Sequence, residues 1–200
     1  SQKSIGVLLC INGTGIMNRW VKEAAGSNLS YAQINEQAAK IPLGSNGLTI
    51  LPFGNGAERM LGNKMMGAQI SNLQLTTHQP AHLFRAAQEG IACAFRYGLD
   101  ILKENGLRPS VIRAGKANMF LSEVFTDLFV NFTGTPVELY ENDGAVGAAI
   151  GAGIGAGIYT TPQEAFRTYK PCALAVPKIN YEEYTRIYER WKGLLEKALS

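Results

Sequence analysis

Residues 111–127, VIRAGKANMFLSEVFTD, constrain the fold more than any other part of this chain. A short β-branched run enters the tight turn Ala114-Gly115. An apolar stripe follows at three- and four-residue steps: Leu121, Val124, Phe125, Leu128, Phe129 and Phe132. The pattern predicts a strand that turns through small residues into a core-facing helix opening near Asn118. A helix start after such a turn exposes unpaired N–H groups and the positive end of the helix dipole, which suits a phosphate. Gly13-Thr14-Gly15 and Asp143-Gly144-Ala145 are two more small-residue turns of this kind.

The continuous apolar run over residues 5–11 predicts a strand buried on both faces. Gly13-Thr14-Gly15 would turn it back into a second strand over residues 16–21, with a polar helical stretch over 30–39. A third strand spans 47–53 and is ended by Pro52 and Gly54-Asn55-Gly56. Residues 57–79 show no clean period and predict a long loop of the kind that carries function. A long helix starts at Pro80, buries Phe84, Ala87, Ile91, Ala94, Phe95 and Leu102, and stops at Asn105-Gly106. After residues 111–127 come a strand at 136–140 and a helix at 143–157. The last helix opens at Asn180, with Glu183 as a capping-box partner, and buries Tyr184, Ile187, Tyr188, Trp191, Leu194 and Leu195. Three antiparallel strands followed by alternating helices and strands predict an α/β sheet with helices on its faces.

The length of 200 residues suits one domain or one lobe of a larger enzyme, and 46% hydrophobic residues suffice for a real core. A net charge of +3, dispersed rather than clustered, gives no nucleic-acid footprint. Cys10, Cys93 and Cys172 are odd in number and lack CxxC spacing, which fits reduced thiols. His78 and His82 stand four apart without a third ligand at suitable spacing, so no metal site is expected. No secretory leader opens the chain, and the Ala/Gly run 145–157 is too short for a membrane span. The expectation is a cytoplasmic protein without a membrane partner. Because Ser1 leads almost directly into a strand, the chain reads as a lobe of a longer protein.

Each candidate residue has a plain reading beside the functional one. Gly13-Thr14-Gly15 is either a hairpin turn or a phosphate turn, in which backbone N–H groups and the Thr14 hydroxyl meet terminal phosphates. Asn118 is either the N-cap of its helix or a reader of an adenine edge. Lys116 is a solvated loop lysine or a phosphate attractor. Glu58 and Arg59 either form an ion pair that orders their loop or are separately solvated. Gly147, Gly151 and Gly155 share a helical face at four-residue steps, which predicts close approach of another backbone.

Taken in order, these turns resemble the C-terminal lobe of the FGGY carbohydrate kinases, and the resemblance covers essentially the whole chain. Gly13-Thr14-Gly15 is similar to the family's phosphate loop, and Leu51-Pro52-Phe53-Gly54 with Gly56-Ala57-Glu58-Arg59 to its LPF/GERTP segment. Residues 82–90, HLFRAAQEG, resemble the second family signature. Residues 113–118, RAGKAN, resemble the GGGAxN adenosine motif, with Asp127 where its helix carries Asp. The departures are specific: Arg113, Ala114 and Lys116 replace small residues, Gln88 replaces an apolar one, and Ser71-Asn72 falls where a Gly is usual. The wording is most like that of xylulose kinases.

The resemblance implies an actin-like, ribonuclease-H-like ATPase lobe, with a mixed sheet and helices on both faces. It also implies ATP and Mg2+ as cofactors, with Gly13, Thr14 and Gly15 at the phosphates and Ala114, Gly115 and Asn118 at the adenosine. The implied reaction is phosphorylation of a sugar hydroxyl, D-xylulose first, with ribulose or glycerol as alternatives. The general-base Asp would lie upstream of Ser1, and the sugar would bind mainly to an N-terminal lobe outside residues 1–200. A homodimer is among the assemblies it allows, and a non-catalytic actin-like nucleotide-binding module is the alternative of a different class.

Overall fold

The computed structural model describes residues 6–141, 144–178 and 181–200, and a helix stands where the sequence suggests a second strand. This helix, α1, runs Thr14–Ala25 from an N-cap at Gly13. Its buried residues, Met17 and Val21, are four apart, a spacing that satisfies both the helical and the strand period. Residues 6–11 enter no strand ladder among the described residues. Leu9 and Ile11 lean on the core, while Val7 and Leu8 are exposed. Apolar content alone did not make a strand, because a strand needs a neighbour for its backbone groups.

Helix α2, Tyr31–Ala39, has a complete capping box between Ser30 and Gln33. Strand β1, Thr49–Leu51, is fully buried. The expected loop over residues 57–79 instead contains strands β2, Ala57–Glu58, β3, Lys64–Met65, and β4, Gln69–Ser71. A 3-10 turn at Arg59–Leu61 separates the first two. Segments of two or three residues are too short to show a period, which is why pattern reading misses them. β1 pairs antiparallel with β4, and β2 with β3, so the N-terminal half forms two ribbons rather than one sheet.

Helix α3, Pro80–Glu104, is the central element, with β1, α1 and α2 against it. Every residue from 84 to 94 is buried, so the helix has no solvent face along that stretch. Phe84, Ala87, Ile91 and Ala94 are in the core as expected, and Phe95 and Leu102 are half-buried. Two of its buried charged side chains pair with each other. Arg85 Nε meets Glu89 Oε1 at 2.8 Å, and Glu89 also accepts from the Gly44 N–H and the Ser45 hydroxyl, each at 2.9 Å. Burial pushes the Glu89 carboxyl above its usual pKa, opposed by the Arg85 charge.

Strand β5, Ile112–Gly115, is followed by a 3-10 turn at Asn118–Leu121 and then by α4, Glu123–Thr133. Next come β6, Val137–Tyr140, α5, Gly144–Gly155, the short α6, Pro162–Ala165, and β7, Ala173–Ala175. Helix α7, Tyr181–Leu199, closes the chain. The sheet order is β5-β6-β7, parallel then antiparallel, so this sheet is mixed. Tyr184, Tyr188, Trp191 and Leu195 of α7 are buried, with Ile187 and Leu194 half-buried. The proposed cap at Asn180 lies outside the described residues, as does Asp143 of the third turn.

Two glycines test this packing in opposite directions. A Cβ on Gly90 would overlap the Ile50 carbonyl, whereas Gly193, exposed on α7, has open space around it. Gly90→Ala should therefore cost at least about 1–3 kcal/mol, the usual penalty of overpacking. Gly193→Ala should gain roughly 0.5–1 kcal/mol from helix propensity. Chemical denaturation of both variants checks the pair.

Candidate functional site

The β5–α4 connection is built by a short series of backbone bonds. Lys116 N–H donates to the Tyr140 carbonyl at 2.8 Å, extending the ladder by one step, and Ala117 N–H folds back onto the Gly115 carbonyl at 2.8 Å. Asn118 then adopts a left-handed conformation, φ 51°, a region that Asn tolerates better than most residues. The 3-10 turn delays the helix, so Asn118 is not the α4 cap. That cap is Ser122, whose hydroxyl accepts from the Phe125 N–H at 3.2 Å. The delay also leaves Leu121 67% exposed, outside the stripe assigned to it. Among the described residues the Asn118 side chain makes no hydrogen bond, so its amide is available to a ligand.

Thr14, Gly15, Ala114, Gly115 and Asn118 line one cleft of about 580 Å³, together with Phe95, Phe120 and Phe125. Gly144, the first residue of α5, lies on the same cleft. Residues about a hundred positions apart in sequence thus converge on one cleft, with the N-terminal ends of α1 and α5 both on its lining. Gly13 is the one proposed site residue outside this lining. It backs onto Pro52, the residue after strand β1, whose carbonyl oxygen a Cβ would overlap. Its small size serves close backbone approach.

Arg113 and Lys116, the two charged departures in this segment, do not line that cleft. Arg113 lines a second cleft of about 590 Å³ with Tyr140, Gln163, Phe166 and Tyr169, joined to the first through Ala114 and Gly115. Its guanidinium donates to Glu138 Oε2 at 2.8 Å, and the Tyr140 hydroxyl donates to the same oxygen at 2.8 Å. Those two bonds, that of Tyr140 foremost, hold the Glu138 carboxyl below its ordinary pKa.

A smaller cleft of about 320 Å³ continues past Asn118 and adds Asn18, Tyr31 and Asn35. The sequence pattern does not place Asn18 here, because residues 16–21 read as a strand. Read as a helix, Asn18 falls one turn from Thr14 and shares its face. Gln88, the buried departure in the second signature, donates to Asn35 at 3.0 Å and accepts from the Ser122 hydroxyl at 3.3 Å. It ties α2 and α3 to the cap of α4, a polar link that an apolar residue could not make.

Glu58 does not pair with Arg59 among the described residues. It is fully buried, and its Oε2 accepts from the Asn12 N–H at 2.9 Å. A Cβ added at Gly147, Gly151 or Gly155 would meet no neighbouring element within 4 Å, so the close approach expected on that face is not met among the described residues. His78 and His82 are acceptors for the Gln74 and Gln79 N–H groups at 2.9 and 3.1 Å. Among the described residues no group of three or more His, Cys, Asp or Glu could hold a metal ion, and no helix is long and apolar enough to cross a membrane. Cys10, Cys93 and Cys172 are free.

Residues 6–156 match the FGGY family of carbohydrate kinases, C-terminal domain, and the chain belongs to that family. Its fold is the actin-like, ribonuclease-H-like ATPase lobe found in FGGY kinases of solved structure. Among relatives, a xylulose kinase of Haemophilus influenzae is 35% identical over 104 residues, 50% of this chain and 21% of that protein. A glycerol kinase of Petrotoga mobilis is 31% identical over 124 residues, 59% of this chain and 24% of that protein. The crystal structure of xylulose kinase from Rhodospirillum rubrum superposes with a TM-score of 0.79 at 27% identity, covering 92% of this chain and 38% of that one. The chain therefore spans well under half the length of these relatives.

The reassignment of the cap gives a direct test. Ser122→Ala should lower stability by about 1 kcal/mol, the usual worth of an N-cap. Asn118→Gly keeps the left-handed backbone and removes no protein hydrogen bond, so denaturation should show a change within about 0.5 kcal/mol. The opposite ranking would return the cap to Asn118.

Proposed function

We propose that this chain is the C-terminal, nucleotide-binding lobe of a two-lobe sugar kinase. The reaction is transfer of the terminal phosphoryl group of ATP to a sugar hydroxyl, with D-xylulose to xylulose 5-phosphate as the leading case. The observation that carries this reading is the convergence of Thr14, Gly15, Ala114, Gly115 and Asn118 on one cleft. The xylulose kinases among its relatives favour that sugar. The Petrotoga glycerol kinase favours a polyol acceptor as the second reading.

In this reading the first-turn N–H groups of α1 and the Thr14 hydroxyl bind the β- and γ-phosphates, and Ala114 and Gly115 let the adenosine approach the backbone. The free amide of Asn118 meets the base. Phosphoryl transfer asks the protein for positioning and charge stabilisation rather than covalent chemistry. Fixed donors on rigid helix ends supply that at no reorganisation cost when the bond breaks. ATP supplies the phosphoryl group. Mg2+ would come with the nucleotide, since the described residues offer no ligand cluster for it. The general-base Asp and most sugar contacts belong to the other lobe, and closure of the two lobes would exclude water.

Two outcomes follow. The chain alone should show no sugar-dependent ATP turnover, whereas the full-length kinase should release ADP with a sugar or polyol from a panel containing xylulose, ribulose and glycerol. Sugar-dependent turnover by the purified lobe would contradict the two-lobe division. In the full-length enzyme, Thr14→Val keeps the β-branched shape and removes the hydroxyl. It should lower kcat by about tenfold or more, the scale of one lost transition-state hydrogen bond, with little change in Tm. An unchanged kcat would remove Thr14 from the phosphate site.

A further inference from the structure

We propose that Glu58 is a positioning residue for the phosphate turn: its carboxylate occupies the Asn12 amide, so that the donors presented to the cleft begin at Thr14. The inference rests on the nucleotide reading above and adds a role for a residue outside the cleft lining.

Glu58 is completely buried, and no Lys, Arg or His pairs with it among the described residues. Its Oε2 accepts from the N–H of Asn12 at 2.9 Å, directly before Gly13-Thr14-Gly15. Its Oε1 is buried and has no hydrogen-bond partner. Two further bonds grip the same residue: Asn12 Nδ2 donates to the Ala57 carbonyl at 2.8 Å, and Asn55 Nδ2 donates to the Asn12 carbonyl at 3.1 Å. Behind the next residue, the Pro52 carbonyl leaves no room for a Cβ on Gly13. The loop of residues 52–58 therefore holds both Asn12 and Gly13, neither of which lines the cleft.

A buried carboxylate that gives one oxygen to a single neutral donor is a costly way to stabilise a fold, because buried charges are normally fully paired. Its value lies in which amide it takes. Asn12 directly precedes Gly13, the N-cap of α1, so an acceptor bound to its N–H sets where the helix starts and which amides reach the cleft. An oxygen acceptor already bound there fixes the register at Thr14 and Gly15. The effect should then scale with the phosphates on the ligand and leave the nucleoside indifferent.

Calorimetry on the full-length protein with adenosine, ADP and a non-hydrolysable ATP analogue tests this. Glu58→Met fills the volume without an acceptor. It should weaken ADP and the analogue by about tenfold or more, as expected when one buried donor loses its acceptor, and leave adenosine within about twofold. Glu58→Gln still offers an oxygen to Asn12 and should stay within about threefold for all three ligands. If Glu58→Met does not fold, Glu58→Asp draws the acceptor back by one methylene and should give a smaller loss with the same split. Equal losses for adenosine and ADP, or no loss for ADP, would overturn the role of Glu58 while leaving the nucleotide reading in place. A wild-type protein that binds none of the three ligands would overturn both.

Discussion

The backbone of residues 50–52 is the surface on which the rest of this lobe is assembled. Gly90 of the central helix sits against the Ile50 carbonyl so closely that a methyl group would not fit. The same carbonyl accepts from the Trp191 indole N–H at 2.9 Å, which fixes the C-terminal helix. Two residues on, the Pro52 carbonyl meets Gly13, the residue before the proposed phosphate turn. One short buried strand thus sets the positions of α3, α7 and α1. Close backbone approach needs glycine at both points, and the indole supplies the hydrogen bond that the buried Ile50 carbonyl requires.

From that arrangement the cleft follows. α1 starts where Gly13 meets Pro52 just past β1, so its amide-bearing end is fixed relative to α3. Along α3, Gln88 reaches Asn35 of α2 and the Ser122 cap of α4. This places the turn over residues 114–118 against the same central helix. Phe129 packs edge-on against Phe95 of α3 at 5.1 Å, and Phe120 packs edge-on against Phe129 and Phe125 at 5.1 and 5.4 Å. The polar turns are exposed, but each is anchored by buried contacts within a few residues. Anchoring of this kind favours fixed positioning of the donors.

Much of this is legible in the sequence, for physical reasons that differ from element to element. The long α3 and α7 carry strong 3.6-residue periods, and Pro80, Asn105 and the Trp191 stripe mark them plainly. Strand β5 is legible from its β-branched run, but it continues through Ala114 and Gly115, where the sequence suggests a turn, and the chain turns only at Lys116 and Ala117. α1 reads as a strand because Met17 and Val21 fit both periods, and the Gly-rich turn before it fits a hairpin as well as a helix start. The cap of α4 is displaced by a 3-10 turn that no local residue announces. Glu58 and Gln88 do not stand out as working residues because burial of a polar side chain is decided by partners 34 to 53 positions away.

The central claim is that the nucleotide lies in the cleft between the α1 start and the turn at 114–118, on the Asn118 side of Gly115. Backbone amide shifts of the 15N-labelled protein titrated with ADP test it most directly. The account predicts saturable shifts at Thr14, Gly15 and Ala117–Asn118, with Phe166 and Tyr169 of the second cleft unmoved. Shifts centred on Phe166 and Tyr169, with Thr14 and Asn118 unmoved, would place the ligand on the Arg113 side and contradict it.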